Sequence, residues 1–285
     1  MAIERSGARG AGGSHIVARA PLNFAFSSCP NDTFAFHAIV HGLVPAPPVV
    51  PHIDDVEALN ARAERGDAEV TKISIAAYPR IRGRYALLRA GGAAGFGVGP
   101  IVVARSSRPV GGRIAIPGQR TTAALLLNLL GRFETVPMRF DQIEDAVLRG
   151  DVDCGVLIHE GRFTYQGKGL ALLADLGAVW EERMNCPLPL AAIAIRRDLA
   201  ASCGNEIDRA LRSSVEHAFA HPEASREYVA SHAQDMDASV IAKHIGLYVN
   251  DYTIALDQAA VRVLLEWAHE HLIDRPRASA MPIFI

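Results

Sequence analysis

Four short stretches place reactive side chains where a folded chain would aim them into a cleft. The first is Ile158-His159-Glu160-Gly161-Arg162-Phe163-Thr164-Tyr165, which directly follows the apolar run 154–158. A polar switch there is costly unless it is solvated or paired. His159, with an ordinary pKa of about 6.5, can take a proton at neutral pH and so serve as a general base. Glu160 can orient His159 or pair with Arg162. His-Glu is not followed by a second histidine at helical zinc-motif spacing, so the stretch predicts no metal site.

The second stretch is Ser27-Ser28-Cys29-Pro30-Asn31-Asp32-Thr33-Phe34, a polar turn entering a helix. Asn31, Asp32 or Thr33 can cap that helix, and its first N–H groups suit an anion or an enolate oxygen. The third is Pro117-Gly118-Gln119-Arg120-Thr121-Thr122. Here two threonines open an apolar helix, and their hydroxyls and N–H groups can hold a carboxylate. The fourth is Thr71-Lys72-Ile73-Ser74, where Thr71 and Ser74 can donate hydroxyl hydrogen bonds. Lys72 can pair with a substrate carboxylate or be an ordinary solvated lysine, and the ordinary reading is preferred. The glycine-rich run 91–99 leads into Pro100 and a strand rather than a helix. It therefore reads as a flexible loop, not a nucleotide cradle. His217, His221, His232, His244, His269 and His271 fall on expected surface helices and read as ordinary.

The elements that must position these groups follow from pattern. Strands are expected over 22–26, 49–53 and 70–75, with helices over 33–41 and 56–65 between them. Asp54 or Asp55 caps the second helix and Gly66 closes it. That β-α-β-α-β order predicts a parallel sheet covered by helices. A second set follows: strands over 101–104, 113–116, 137–140 and 154–158, with helices over 121–130 and 142–149, the latter capped by Asp141. After a strand over 190–195, helices are expected over 207–220, 224–232, 239–246 and 253–271. Strands near 101–104 and 190–195 would cross between two domains. The expected fold class is therefore α/β, a two-domain type II periplasmic-binding-protein-like fold with a central cleft. Domain 1 is expected to be discontinuous, over 21–103 and 192–285, and domain 2 to span 104–191. Residues 1–20 read as a disordered leader. In such open sheets ligands bind outside the carboxyl ends of strands, where the first three stretches fall, while the fourth lies within the strand over 70–75.

Bulk properties remove several function classes. The chain has 285 residues, 49% hydrophobic, and a formal net charge of -2. That composition supports real cores and offers no global field for nucleic acid or an anionic membrane. No window resembles a membrane span or a signal peptide. Cys29, Cys154, Cys186 and Cys203 lie far apart with no Cys-x-x-Cys, so neither a zinc site nor a disulfide framework is expected. The setting this predicts is cytoplasmic.

Taken together, these stretches resemble the 1,4-dihydroxy-6-naphthoate synthase family of the futalosine route to menaquinone. The resemblance rests on Ser28 to Phe34, Asp67 to Ser74, Tyr85 to Pro100, Ile114 to Thr122 and Ile158 to Tyr165. It runs from about Leu22 to Leu199 and more weakly beyond. Ser28 departs from the proline common in the family. The resemblance implies a carbon–carbon lyase that converts cyclic de-hypoxanthine futalosine, a small anionic aromatic substrate, to the naphthoate. It implies no redox cofactor and no metal. His159 matches the family's candidate base, and Thr71, Thr121 and Thr122 match residues lining its cleft. Two rivals share the fold: chorismate dehydratase of the same pathway and a non-catalytic solute-binding protein.

Overall fold

A computed structural model describes residues 20–233, 237–272 and 279–285. The leader expected over 1–20 thus falls, Ala20 excepted, outside the described residues. The strands in chain order are β1 (Leu22–Ser27), β2 (Val49–Asp54), β3 (Val70–Ser74), β4 (Tyr85–Leu87), β5 (Ala93–Gly95), β6 (Ile101–Ala104), β7 (Arg113–Ile116), β8 (Glu134–Pro137), β9 (Cys154–Leu157), β10 (Ala171–Asp175) and β11 (Leu188–Arg196). They form two sheets. One has the order β2-β1-β3-β11-β4, with β5 also on β11; the other runs β10-β6-β9-β7-β8.

In the first sheet β1 pairs in parallel with both β2 and β3. The connections run through α1 (Pro30–Val40) and α2 (Val56–Arg65). α2 starts and stops where its sequence dictates: the Asp55 side chain accepts from the N–H groups of Glu57 and Ala58, and Gly66 ends it at φ 85°. β7 repeats the parallel pattern with β8 and β9 in the second sheet. Each lobe is thus a small α/β layer, and the architecture is that of the periplasmic-binding-protein-like folds.

One core joins the lobes, containing Ile73 and Leu188 of the first sheet and Val102, Ile114 and Val156 of the second. Trp180, fully buried, packs edge-on against Trp267 at 5.8 Å across this core. The outer core of the first lobe is built on Phe24, Phe26 and Phe36, with centroids 5.0 to 5.4 Å apart. Burying each such ring contributes about 1.5–3 kcal/mol.

Several expectations shift. β6 belongs to the second sheet throughout, and β11 from Leu188 onward belongs to the first. The chain changes sheet between Gly95 and Ile101 and again between Asp175 and Leu188, not at 103/104 and 191/192. Continuous apolar strands carry no mark of which sheet they join. Ala93–Gly95, read as loop, is a strand on β11. Its small residues permit close packing: a Cβ on Gly92 would meet the Ala191 carbonyl at 3.2 Å. The expected strand over 137–140 lies instead at Glu134–Pro137, and the single helix over 253–271 is two, Asp251–Ile254 and Gln258–His271. Asp257 caps the second of these.

The first crossing pivots on Gly99, at φ 128°, where a Cβ would sit 2.9 Å from the Gly177 Cα and 3.0 Å from Leu188 Cδ2. Only glycine adopts that backbone without strain. Arg162 binds both crossings: its guanidinium donates to the Gly99 carbonyl at 2.9 Å, the Gly97 carbonyl at 3.1 Å and the Asp175 carboxylate. Replacing Gly99 with alanine is expected to cost about 1–3 kcal/mol, read as a lower urea midpoint.

Candidate active site

A cleft between the lobes collects residues from both sheets and encloses about 650 Å³ of space, its open mouth included. The end of β1 and the start of α1 supply Ser27, Asn31 and Asp32; β3 supplies Lys72 and Ser74; the crossing supplies Gly99 and Pro100. From the second lobe come Thr121, Thr122 and, just past β9, His159. His244 and Tyr248 enter from the helix Ala238–Tyr248.

The floor is a buried ion pair. Lys72 Nζ lies 2.6 Å from Asp32 Oδ1, with both side chains at most 4% exposed. Asp32 also accepts from the Ser27 N–H at 3.2 Å, the Ser27 hydroxyl at 2.7 Å and Asn31 Nδ2 at 2.9 Å. Lys72 also donates to the Gly91 carbonyl and lies 5.6 Å from the Phe36 ring centroid. Such saturation is what makes a buried pair tolerable. It corrects two expectations. Lys72 is not a solvated lysine. Nor do Asn31, Asp32 or Thr33 cap α1 with a side chain: Cys29 is the N-cap, and Asp32 reaches back to Ser27 instead.

Strand parity explains β3. Successive side chains alternate faces, so Lys72 and Ser74 share the cleft face and Thr71 takes the other. Thr71 is fully buried, donates to the Lys72 carbonyl and does not line the cleft. Thr33 likewise turns its hydroxyl back to the Cys29 carbonyl, outside the cleft. Ser74 accepts from Asn60 Nδ2 at 3.0 Å. Thr121 caps the helix Thr122–Leu126 by accepting from the Ala124 N–H. The Thr122 hydroxyl bridges the lobes, donating to the Leu190 carbonyl at 2.7 Å and accepting from the Ala76 N–H. Outside the cleft lining, Arg120 of the second lobe grips α2 of the first, with Nη1 2.9 Å from Glu57 and Nε 2.9 Å from Glu64.

His159 sits at φ 55°, in the left-handed region, at the carboxyl end of β9. A non-glycine residue there is strained, and such strain concentrates at functional sites. The ring keeps part of its surface toward the cleft but is ringed by protein. Desolvation pulls its pKa down to about 4, with Asp32 opposing and Lys72 assisting. Phe140 meets the ring edge-on at 4.9 Å and His244 stacks at 6.2 Å. Cys29 Sγ lies 3.1 Å from Nδ1. Burial, then the charges of Glu160 and Asp32, push the Cys29 thiol up, so thiol and imidazole are both neutral. Glu160 does not line the cleft, and Arg162 pairs with Asp175 rather than with Glu160.

The sequence does not single out His244 or Tyr248, and the solvated reading it favours for Lys72 gives way to a buried pair. Parity along β3 would have found Lys72. The four-residue spacing of His244 and Tyr248, whose rings lie 4.7 Å apart, puts both on one helical face. Replacing Lys72 with methionine strands a buried carboxylate and is expected to cost about 3–5 kcal/mol. Adding Asp32→Asn should recover part of that loss, as read from urea midpoints of the single and double variants.

Residues 22–270 match the family model described as menaquinone biosynthesis. A curated relative from Thermus thermophilus, named 1,4-dihydroxy-6-naphtoate synthase, is 45% identical over 93% of this chain and 99% of its own length. One from Streptomyces coelicolor with the same name is 46% identical over 92% and 98%. Among solved structures, a protein from Archaeoglobus fulgidus superposes with a TM-score of 0.85 at 40% identity, covering 90% of this chain and 98% of that one. The periplasmic aliphatic sulphonate binding protein of Escherichia coli superposes at 0.63 with 13% identity, covering 93% of each chain, a likeness of fold alone. With its two-lobed fold, its interlobe cleft and relatives this similar along nearly their whole length, the chain belongs to the menaquinone-biosynthesis family that includes the 1,4-dihydroxy-6-naphtoate synthases.

Proposed function

We propose that this protein is a carbon–carbon lyase that converts cyclic de-hypoxanthine futalosine to 1,4-dihydroxy-6-naphthoate, with His159 as general base. The observation that carries the reading is a neutral imidazole held on strained backbone in a cleft between two lobes. A base must be unprotonated before it can act, and desolvation by burial keeps His159 so.

In this reading the aromatic acid lies across the cleft with its carboxylate toward the Ser74 hydroxyl and the backbone at Thr121 and Thr122, whose own hydroxyls already donate to the carbonyls of Gly118 and Leu190. Lys72 supplies the nearby positive charge, and the start of the helix Thr122–Leu126 supplies N–H donors. His159 removes a proton from the substrate and becomes imidazolium. That proton comes from a hydroxyl. Its oxygen's electron pair forms a carbonyl on the departing sugar-derived fragment as the carbon–carbon bond breaks in a retro-aldol sense. The bonding pair passes into the remaining ring as an enolate that becomes aromatic, and the imidazolium returns the proton. The Ser74 hydroxyl and N–H groups around the cleft hold the negative charge that develops on oxygen. Closure of the lobes excludes water while this happens. Asn31 and Asp32 act from beneath, holding the floor in place, and Cys29 braces the imidazole with an uncharged thiol.

Two outcomes are expected. His159→Asn should keep the fold, because asparagine tolerates left-handed backbone, while turnover of cyclic de-hypoxanthine futalosine falls by roughly 10²–10⁴. Near wild-type turnover would eliminate the assignment. The second concerns pH. An imidazole titrating near 4 stays unprotonated down to acid pH, so kcat/KM should hold between pH 7 and pH 5. An ordinary histidine base, with a pKa of about 6.5, would lose most of its activity over that interval. A steep fall centred near 6.5 would contradict the proposed environment.

A further inference from the structure

His244 is buried at 1% exposure, lines the cleft and has no part in the steps above. Its protonation is dictated from a charge two residues away in the network. Lys72 binds Asp32 Oδ1, and Asn31 Nδ2 donates to that same oxygen at 2.9 Å. A carboxylate accepts only, so the Asn31 amide must turn its NH₂ to Asp32 and its carbonyl away. His244 Nε2 lies 3.0 Å from that carbonyl oxygen. An oxygen that can only accept requires a donor, so Nε2 carries the proton. Burial and the neighbouring His159 both oppose a second proton on the ring. Nδ1 is therefore a bare acceptor. It is buried and has no hydrogen-bond partner among the described residues. Buried acceptors are rarely left so without a reason, and here the reason adjoins the cleft.

We propose that Nδ1 of His244 accepts a hydrogen bond from a hydroxyl of the bound molecule, making the cleft selective for a hydroxylated cyclic substrate. The proposal rests on the lyase reading for the identity of that substrate. The hydroxyl of the sugar-derived ring is a donor of the required kind; an ether or a ring carbon is not. The Lys72–Asp32–Asn31 chain imposes the tautomer, so the acceptor is set before the ligand arrives, and a shift of the side chains that cover Nδ1 brings the ligand hydroxyl to it.

The tautomer is read directly by ¹⁵N resonance of selectively labelled histidine in the whole protein. A pyridine-type Nδ1 and a pyrrole-type Nε2 are expected at His244, and the reverse assignment overturns the proposal. Recognition is read by binding, with His159→Asn present so that substrate is not consumed. His244→Gln keeps an amide N–H within reach of Asn31 but places no acceptor at the Nδ1 position. It should weaken cyclic de-hypoxanthine futalosine by roughly 5- to 10-fold, the value of one neutral hydrogen bond. It should leave 2-naphthoate, an aromatic carboxylate without hydroxyls, unchanged. Equal weakening of both ligands would mean a structural role and overturn the proposal, as would no weakening of either. Failure of the unsubstituted enzyme to turn over the cyclic compound would sink the lyase reading alone, provided the compound still binds. If it does not bind, both readings fall.

Discussion

The pairing of Lys72 with Asp32 is the constraint from which the cleft follows. Two charges at the base of a crevice are costly to bury, and each must find every partner its geometry allows. Satisfying Asp32 draws the Ser27 backbone and hydroxyl down and turns Asn31. Through Asn31 it settles the proton on His244. Satisfying Lys72 calls on the Gly91 carbonyl and the face of Phe36, which is locked in the aromatic cluster behind the first sheet. The electrostatics of the cleft and the packing of the first lobe are thus one problem with one solution.

Much of this arrangement could be read from residue order, and the limits of that reading are physical. Turns and caps carry local signatures, so the helix from Val56 to Arg65 was legible to the residue. The βα order pointed to two parallel units and hence to the cleft. What could not be read was partnership at long range. Lys72 looks like any lysine until Asp32, forty positions earlier, is known to face it. His244 looks like any histidine on a helix until that helix is seen to close one end of the cleft. Short strands such as Ala93–Gly95 have too few residues for a period to show, and only pairing with β11 defines them. Thr71 offers a hydroxyl, but parity, itself a local rule, turns it from the cleft face.

The likeness to sulphonate-binding proteins is one of scaffold alone. A binder needs donors for an anion and a means of closing on it. The Ser74 hydroxyl and the clasp of Arg120 on Glu57 and Glu64 are of that kind. The strained His159 and the buried Lys72–Asp32 pair ask more of the protein than anion binding requires. A neutral imidazole contributes nothing to holding an anion by charge, and a left-handed backbone detracts from stability. Their presence makes sense when turnover rather than retention is being served.

Arg162 has a further consequence. It stands three positions beyond His159 on the same turn, yet its guanidinium grips Gly97, Gly99 and Asp175, the strap by which the lobes are joined. A swing of one lobe against the other must therefore tug on the peptide that bears the imidazole. The geometry of the cleft wall and the posture of the lobes are in this way mechanically linked through one guanidinium.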